Sequence, residues 1–486
     1  LDARSAAKAR NKVIMTEIIL QPGAEPTIPI HATTPGGWEA MAAALPPGVR
    51  AVATLARFTG KAGEVVLAPD DAGALACVLF GLGGDPASAT AWRALPAKLP
   101  EGAYRLGAPP AADPTRVALA WAMGVYGFDR YRKTRQGSPP RLEVPGGADV
   151  DKARLLAHAC ALARDMVNTP ANDMGPLQME TIAREIAAVH QAQIEVVVGD
   201  DLLAAGYPAV HAVGRAAHPA RAPRMIEIIW GDPRHPILAV VGKGVVFDTG
   251  GLDIKPGSSM KLMKKDMGGG AHALALSRMI MGAGLPVRLH VLVPVVENAI
   301  SGDAMRPSDI IASRKGLTIE VGNTDAEGRL ILADALTRAA ELDPFLTIDM
   351  ATLTGAARVA LGPQVIPFYT DDDALAADIA RASLTTEDPL WRMPLWRGYA
   401  PAVESDIADL RNDPEGWAQA GSVTAALFLQ HFAPTGPWVH LDIYAWNPRG
   451  RPGYPVGAEA QGILALFAML EARFPQAGNK TDPKVA

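Results

Sequence analysis

From about residue 150 to residue 350, short apolar runs alternate with stretches of helical pattern, and this alternation limits the possible folds more than any other feature. A helical pattern from Val150 to Val167 stops at Asn168-Thr169-Pro170, where the proline disfavours helical backbone in the residue before it. A helix over Leu177–His190 and strands at Ile194–Val198, Met225–Ile229 and Ile237–Val241 follow. Then come a helix at Gly269–Met281, a strand at Val287–Val296, a helix at Gly328–Leu342 and a strand at Phe345–Met350. Strands alternating with helices predict a doubly wound, largely parallel sheet flanked by helices. With 486 residues, 49% of them apolar, the chain can bury a large core and has room for two domains.

Two charged stretches follow strand-like runs, at the end of such a sheet where ligands bind. After Leu317-Thr318-Ile319-Glu320-Val321 comes Asn323-Thr324-Asp325-Ala326-Glu327-Gly328-Arg329-Leu330, with Asp325, Glu327 and Arg329 at alternate positions. Alone, this octapeptide fits either a ligand-binding connection or a surface loop with a solvated salt bridge. After Ile237–Val240 comes Val241-Gly242-Lys243-Gly244, then Phe247-Asp248-Thr249-Gly250-Gly251, Lys255 and Lys264-Lys265-Asp266-Met267-Gly268-Gly269-Gly270. The two glycines after Asp248 allow a tight turn and close approach of a ligand. Burying such a segment is costly unless its charges meet each other or a metal. All these motifs are expected after strands, on one edge of the main sheet.

Together the two stretches resemble the leucyl aminopeptidase family, the cytosol aminopeptidases that use two metal ions. Asn323 to Leu330 matches that family's signature, and Gly242-Lys243-Gly244 through Phe247-Asp248-Thr249-Gly250-Gly251 to Lys255 matches its second block. The likeness is strong from about Asp165 to Gly355, looser to about Leu470 and weak before residue 150. It implies one ion on Lys243, Asp248, Asp266 and Glu327, and another on Asp248, Glu327 and Asp325, whose carbonyl also contributes. Without the resemblance Lys243 would read as a counter-ion; a lysine ligand must be a neutral amine, its pKa pulled far down by the metals. The ions implied are zinc or manganese, with magnesium or cobalt as further options. The mechanism implied is attack of a bridging hydroxide on the first peptide bond of a peptide whose free amine binds one metal. Lys255 would polarise the scissile carbonyl, and Arg329 would hold a bicarbonate that shuttles the proton. The resemblance also implies a cytoplasmic homo-hexamer with sites facing an inner chamber.

Softer expectations concern the substrate pocket. Ala351-Thr352-Leu353-Thr354-Gly355-Ala356 matches a family turn in which Leu353 offers a carbonyl to substrate, and Thr352 and Gly355 line the first side-chain pocket with Met263. The same stretch also reads as a helix N-cap after a strand, with Thr352 or Thr354 as the cap. Asn323 is expected to shape the signature loop. A pocket with Met263 suits a Leu- or Met-like residue. Where the family continues with small residues after Trp438-Val439-His440-Leu441-Asp442-Ile443, this chain has Tyr444-Ala445-Trp446 and a Gly/Pro-rich loop from Asn447 to Tyr454, near the pocket of relatives. Bulky Tyr444 or Trp446 would narrow that pocket or reshape a subunit contact. Asp253, Lys261, Lys264 and Lys265 read as a solvated rim or subunit contact, and Trp391, Trp396 and Tyr399 as core. None of the ten histidines falls in the motifs, which disfavours a His-rich zinc hydrolase. Ser258-Ser259-Met260-Lys261 is a chance Ser-x-x-Lys match, lacking the Lys-Thr-Gly partner.

Residues 14–148 are expected to form a smaller N-terminal α/β domain and 149–486 the catalytic domain, with the boundary in the Pro/Gly-rich stretch around Gly137–Pro140 and Pro145–Gly147. In the first domain Glu64–Pro69 and Ala74–Phe80 read as paired strands and Pro114–Tyr126 as a helix; Gly81-Leu82-Gly83-Gly84 reads as a turn. Residues 1–13 read as a tail or cloning scar, with Met15 as a natural start. A net charge of −5 gives no electrostatic case for nucleic acid or an anionic membrane. No apolar run reaches the ~18–20 residues of a membrane span. Cys77 and Cys160 are too few for a disulfide framework, which fits a reducing compartment. Two other readings stand beside the peptidase: another dinuclear hydrolase such as a phosphatase, and an added DNA-binding role.

Overall fold

The computed structural model describes residues 18–133, 138–414, 417 and 419–475. The expectations for residues 1–13, Met15 and Gly137 lie outside the described residues. The chain divides into two compact units, one of residues Leu1–Ala161 with Pro448–Val456, the other of Leu162–Asn447 with Gly457–Ala486.

The first unit holds a six-stranded sheet in the order Ile19–Leu20, Arg141–Glu143, Ala103–Leu106, Ile28–Thr33, Leu75–Gly81 and Val65–Pro69. The last two strands pair antiparallel, as their alternating patterns and intervening turn predict. Helix Pro114–Val125 starts where Asp113 accepts the Arg116 N–H at 2.8 Å and Pro114 presets the first turn. Gly83 adopts φ +79° in the turn after Leu75–Gly81. The Gly/Pro-rich insertion belongs to this unit through residues 448–456, where the Arg93 guanidinium lies 3.9 Å from the Tyr454 ring centroid.

The second unit is a mostly parallel sheet flanked by helices. The order is Leu390–Arg392, Ile366–Tyr369, Trp438–Asp442, Leu346–Ala351, Ile237–Gly242, Arg288–Asn298, Arg224–Trp230, Gln193–Val198, with Gly244–Asp248 added beside the end of Arg288–Asn298. The central strands are parallel, and antiparallel pairs occur towards both sides. The strand Ile237–Gly242 shows no alternation of buried and exposed positions: Leu238, Ala239, Val240 and Val241 are all buried, as expected of a strand covered on both faces. Helix Glu327–Ala340 is likewise buried almost all round; Leu330, Ile331, Leu332 and Leu336 are fully enclosed, each worth roughly 1.5–3 kcal/mol of burial.

Two local readings change. Thr318–Glu320, before the signature loop, belongs to a separate small sheet with Ile310–Ala312 and Leu410–Arg411, not to the main sheet. A three-residue strand finds its partners in equally short neighbours. Trp391 and Trp396 are 63% and 60% exposed, so they do not pack the core.

Candidate metal centre

The carboxyl ends of the parallel strands converge. Ala351 pairs with Asp442, Met350 with Gly242, and Asp248 with Asn298, so the segments that leave these strands start from one edge. Lys243 sits at the break between Ile237–Gly242 and Gly244–Asp248, its N–H donating to Met350 O at 3.0 Å. Asp248 ends its strand, and Gly250 and Gly251, at φ +88° and +66°, turn the chain back so that Lys255 returns. Asp266 follows the short 3-10 turn Met263–Lys265, and Glu327 opens helix Glu327–Ala340.

These elements bring four carboxylates and two lysines together. Lys243 Nζ lies 2.8 Å from Asp266 Oδ2 and 2.9 Å from Glu327 Oε1, and it donates to Thr352 O at 3.1 Å. Lys255 Nζ lies 2.9 Å from Asp248 Oδ2 and also pairs with Asp325 Oδ1. Oxygens of Asp248, Asp325 and Glu327 lie within 4.8 Å of one another. Gly328 makes room for this: a Cβ there would come within 2.6 Å of Lys243 Nζ and 2.7 Å of its Cδ and Cε.

The charges do not balance. Four carboxylates share two paired lysines, Lys243 and Lys255, and Lys265 adds a positive charge that acts on Asp266 without pairing with it. Asp266 Oδ2, Asp325 Oδ1 and Glu327 Oε1 are buried and, among the described residues, are met only by the lysine ammonium groups. Burial, then Asp248, pushes the Glu327 carboxyl well above its ordinary range, and the same two causes lift Asp325 to about 6 despite Lys255. Burial favours a neutral Lys243 amine, but Asp266, Glu327 and Asp248 outweigh it and hold its pKa above the ordinary value. For Lys255, Asp248 and Asp325 likewise outweigh burial. Crowded, buried oxygen donors with excess negative charge are what hard divalent cations require. Cations there would reverse the local signs, favouring ionised carboxylates and a neutral Lys243 amine. The donor set therefore fits a metal centre.

The cavity beside the cluster measures about 720 Å³. Lys243, Asp248, Lys255, Met263, Asp266, Asn323, Asp325, Arg329, Thr352, Leu353 and Gly355 all line it, so the structure gathers these site residues predicted from the sequence around one space. Glu327, 1% exposed, reaches the cluster from behind through Lys243. Thr352 Oγ1 donates to Asp266, at 2.9 Å from both its Oδ1 and its main-chain O, and Thr354 caps helix Gly355–Leu361 by accepting the Ala357 N–H. The two readings of that turn therefore divide between neighbouring threonines. Asn323 Oδ1 accepts the Asp325 N–H at 2.8 Å, shaping the signature loop.

Several residues escaped sequence reasoning. Asn298 Nδ2 donates to Asp248 Oδ1 at 2.8 Å. Asn412 accepts the Gly322 and Asn323 N–H groups, donates to the Asn323 and Ala326 carbonyls, and offers its own carbonyl to Arg329 at 2.6 Å. Asp442 accepts from the Leu353 and Thr354 N–H groups and from Thr354 Oγ1. Asp253 is exposed, as a rim residue should be, yet it pins Thr324 by accepting its N–H at 2.7 Å. Lys265 overturns the rim expectation: it is 6% exposed and lines the cavity.

Residues 161–467 match the model of the cytosol aminopeptidase family, catalytic domain, and residues 28–145 that of the M17 aminopeptidase N-terminal domain. The chain belongs to the cytosol aminopeptidase family. A probable cytosol aminopeptidase of Syntrophotalea carbinolica is 40% identical over 451 residues, 85% of this chain and 89% of that protein. The crystal structure of cytosol aminopeptidase from Coxiella burnetii superposes with TM-score 0.89 at 42% identity, covering 94% of this chain and 99% of the other. The bottromycin maturation enzyme BotP, solved in complex with Mn, superposes with TM-score 0.83 at 32% identity, covering 92% of this chain and 100% of BotP. Family membership makes the chain an aminopeptidase, a hydrolase acting on peptides. Among the described residues no helix is long and apolar enough to cross a membrane.

Proposed function

We propose that Lys243, Asp248, Asp266, Asp325 and Glu327 hold two divalent ions, zinc or manganese with magnesium or cobalt as substitutes, and that the chain removes the leading residue of peptides at this centre. The observation that carries the reading is the convergence of Asp248, Asp325 and Glu327 oxygens within 4.8 Å of one another. Bound ions supply acidification of water and polarisation of a carbonyl. The remaining work falls to side chains already in place. Lys255, at the cavity wall, donates to the carbonyl oxygen of the scissile bond as negative charge develops there. Arg329, anchored through one nitrogen to Asn412 O while its buried Nε has no acceptor among the described residues, keeps donors for a small anion such as bicarbonate. Thr352 orients Asp266, and Asn298 orients Asp248, so neither carboxylate swings when substrate enters. Leu353 O is the acceptor for the substrate main chain, on a turn held by Asp442, while Met263, Thr352 and Gly355 surround the first side chain and favour Leu- or Met-like residues.

Every residue in this reading lies beyond residue 148, so 149–486 is the proposed catalytic region and 14–148 a separate domain. We further propose a cytoplasmic homo-hexamer; a stable monomer in sedimentation would remove that part. The deciding assay is a panel of aminoacyl anilides and a phosphate ester, run with zinc, manganese, cobalt and magnesium. Cleavage of anilides alone is expected, and phosphate-ester turnover without anilide cleavage would overturn the reading.

A further inference from the structure

Part of the cavity wall carries two cations that, among the described residues, form no ion pair with an acid, although Asp266 and Asp442 lie near enough to act on Lys265 through their charge. Lys265 lines the cavity, nine-tenths buried, and among the described residues no carboxylate pairs with its Nζ and no acceptor takes its hydrogens. Its ammonium stands against the Tyr444 ring, whose centroid lies 4.9 Å from Nζ. The Arg358 guanidinium lies 5.2 Å from the same ring and, among the described residues, has no carboxylate partner either. The nearby acids are engaged elsewhere: Asp442 with Leu353 and Thr354, Asp266 with Thr352 and Lys243. A cation–π contact offsets only part of the cost of enclosing an ammonium.

Tyr444, whose ring both cations approach, is anchored through its backbone. Its N–H and that of Ala445 both donate to Gln461 Oε1, at 3.2 and 2.7 Å. Gln461 in turn donates from Nε2 to Pro363 O at 2.8 Å and from its main-chain N–H to His272 Nε2 at 3.0 Å. The cations ride on the elements that carry the proposed first side-chain pocket. Met263 and Lys265 share one 3-10 turn, and Gly355 and Arg358 are three apart on one helix, hence on one face.

We propose that Lys265 and Arg358, which both approach the Tyr444 ring, form an anion subsite that takes the side-chain carboxylate of a leading glutamate. The inference rests on the pocket assignment made above and extends its range of leading residues. The methylenes of a glutamate use the apolar wall at Met263 that would serve leucine or methionine, and its carboxylate meets the two free cations.

Glutamate and glutamine anilides separate charge from shape. With the metal-loaded full chain, kcat/KM for the glutamyl anilide is expected to exceed that for the glutaminyl anilide by on the order of tenfold or more, the discrimination of a charge-assisted hydrogen bond. Lys265→Met and Arg358→Gln are each expected to lower that ratio, and the double variant to bring it near one. The ratio is independent of how much enzyme is folded, and Arg358 is exposed, so its replacement leaves packing intact. A ratio at or below one in the unaltered protein, or unchanged in both variants, while leucyl anilide is cleaved, overturns the subsite and leaves the peptidase reading standing. Failure to cleave any anilide, leucyl included, overturns both.

Discussion

Glu227 and Glu327 are both buried glutamates of the same unit. Glu227 receives Arg338 through both oxygens, at 3.1 and 3.2 Å, and His290 Nδ1 lies 2.8 Å away. Arg338 continues to Glu341, which Arg314 grips at 2.8 and 2.9 Å. Burial would raise the Glu227 carboxyl, but His290 and Arg338 outweigh it and hold it below the ordinary range. Glu327 meets Lys243, shared with Asp266, and stands opposite Asp248, so its carboxyl is driven the other way. The lesson lies in the balance of charge. A network closed by its own cations is structure; one with more carboxylates than paired lysines suits a charge from outside.

The sharpest way to break this contrast is Asp325→Ala. It should abolish metal uptake and reduce kcat/KM by more than ~10³, the scale of losing a principal electrostatic element; full activity and full metal content by elemental analysis would collapse the distinction. Next, Lys255→Ala and Arg329→Ala should retain metal while losing on the order of 10²–10³ in kcat. Loss of metal in either would move that residue into the ligand set. Gly328→Ala tests the packing beneath Lys243: metal affinity in a competition titration should weaken roughly 10–100-fold, as for disturbed ligand support. Unchanged affinity would mean that the lysine tolerates displacement.

Arg338→Ala should act in the opposite sense, costing about 2–3 kcal/mol in denaturant unfolding while leaving kcat/KM unchanged. The smallest effect concerns acid. Because the folded Glu227 carboxyl titrates below its ordinary 4.5, its contribution to stability is present above that pH and fades as pH falls through the folded value. Glu227→Gln should therefore flatten the fall in stability below pH 4.5, and an unaltered slope would show Glu227 to be unperturbed.

Much of this was legible because the informative patterns are local. The helix Gly268–Ala283 and the strand Ile237–Gly242 lie within a residue or two of the ranges read from periodicity. Asp248, Asp325 and Glu327 stood out as charges after strands, although their division into ligands, and Lys243 among them, came from the family likeness and not from spacing. What escaped is non-local. Asn412 reaches Asn323 across 89 residues, and no pattern around it marks an asparagine that serves a distant loop. Lys265 looked solvated because it stands among lysines; only the fold turns Lys261 outward and Lys265 inward. Thr318–Glu320 alternates like any strand, and alternation cannot say which sheet will take it.

The bonds from Asn412 tie the signature loop to a residue that comes late in the chain. A nascent chain that has already produced every charged group of the cluster still lacks the brace that holds the Arg329 guanidinium and the Asn323 carbonyl. A chain ending before that asparagine would carry every residue of the proposed ligand set but not the contacts that hold the signature loop.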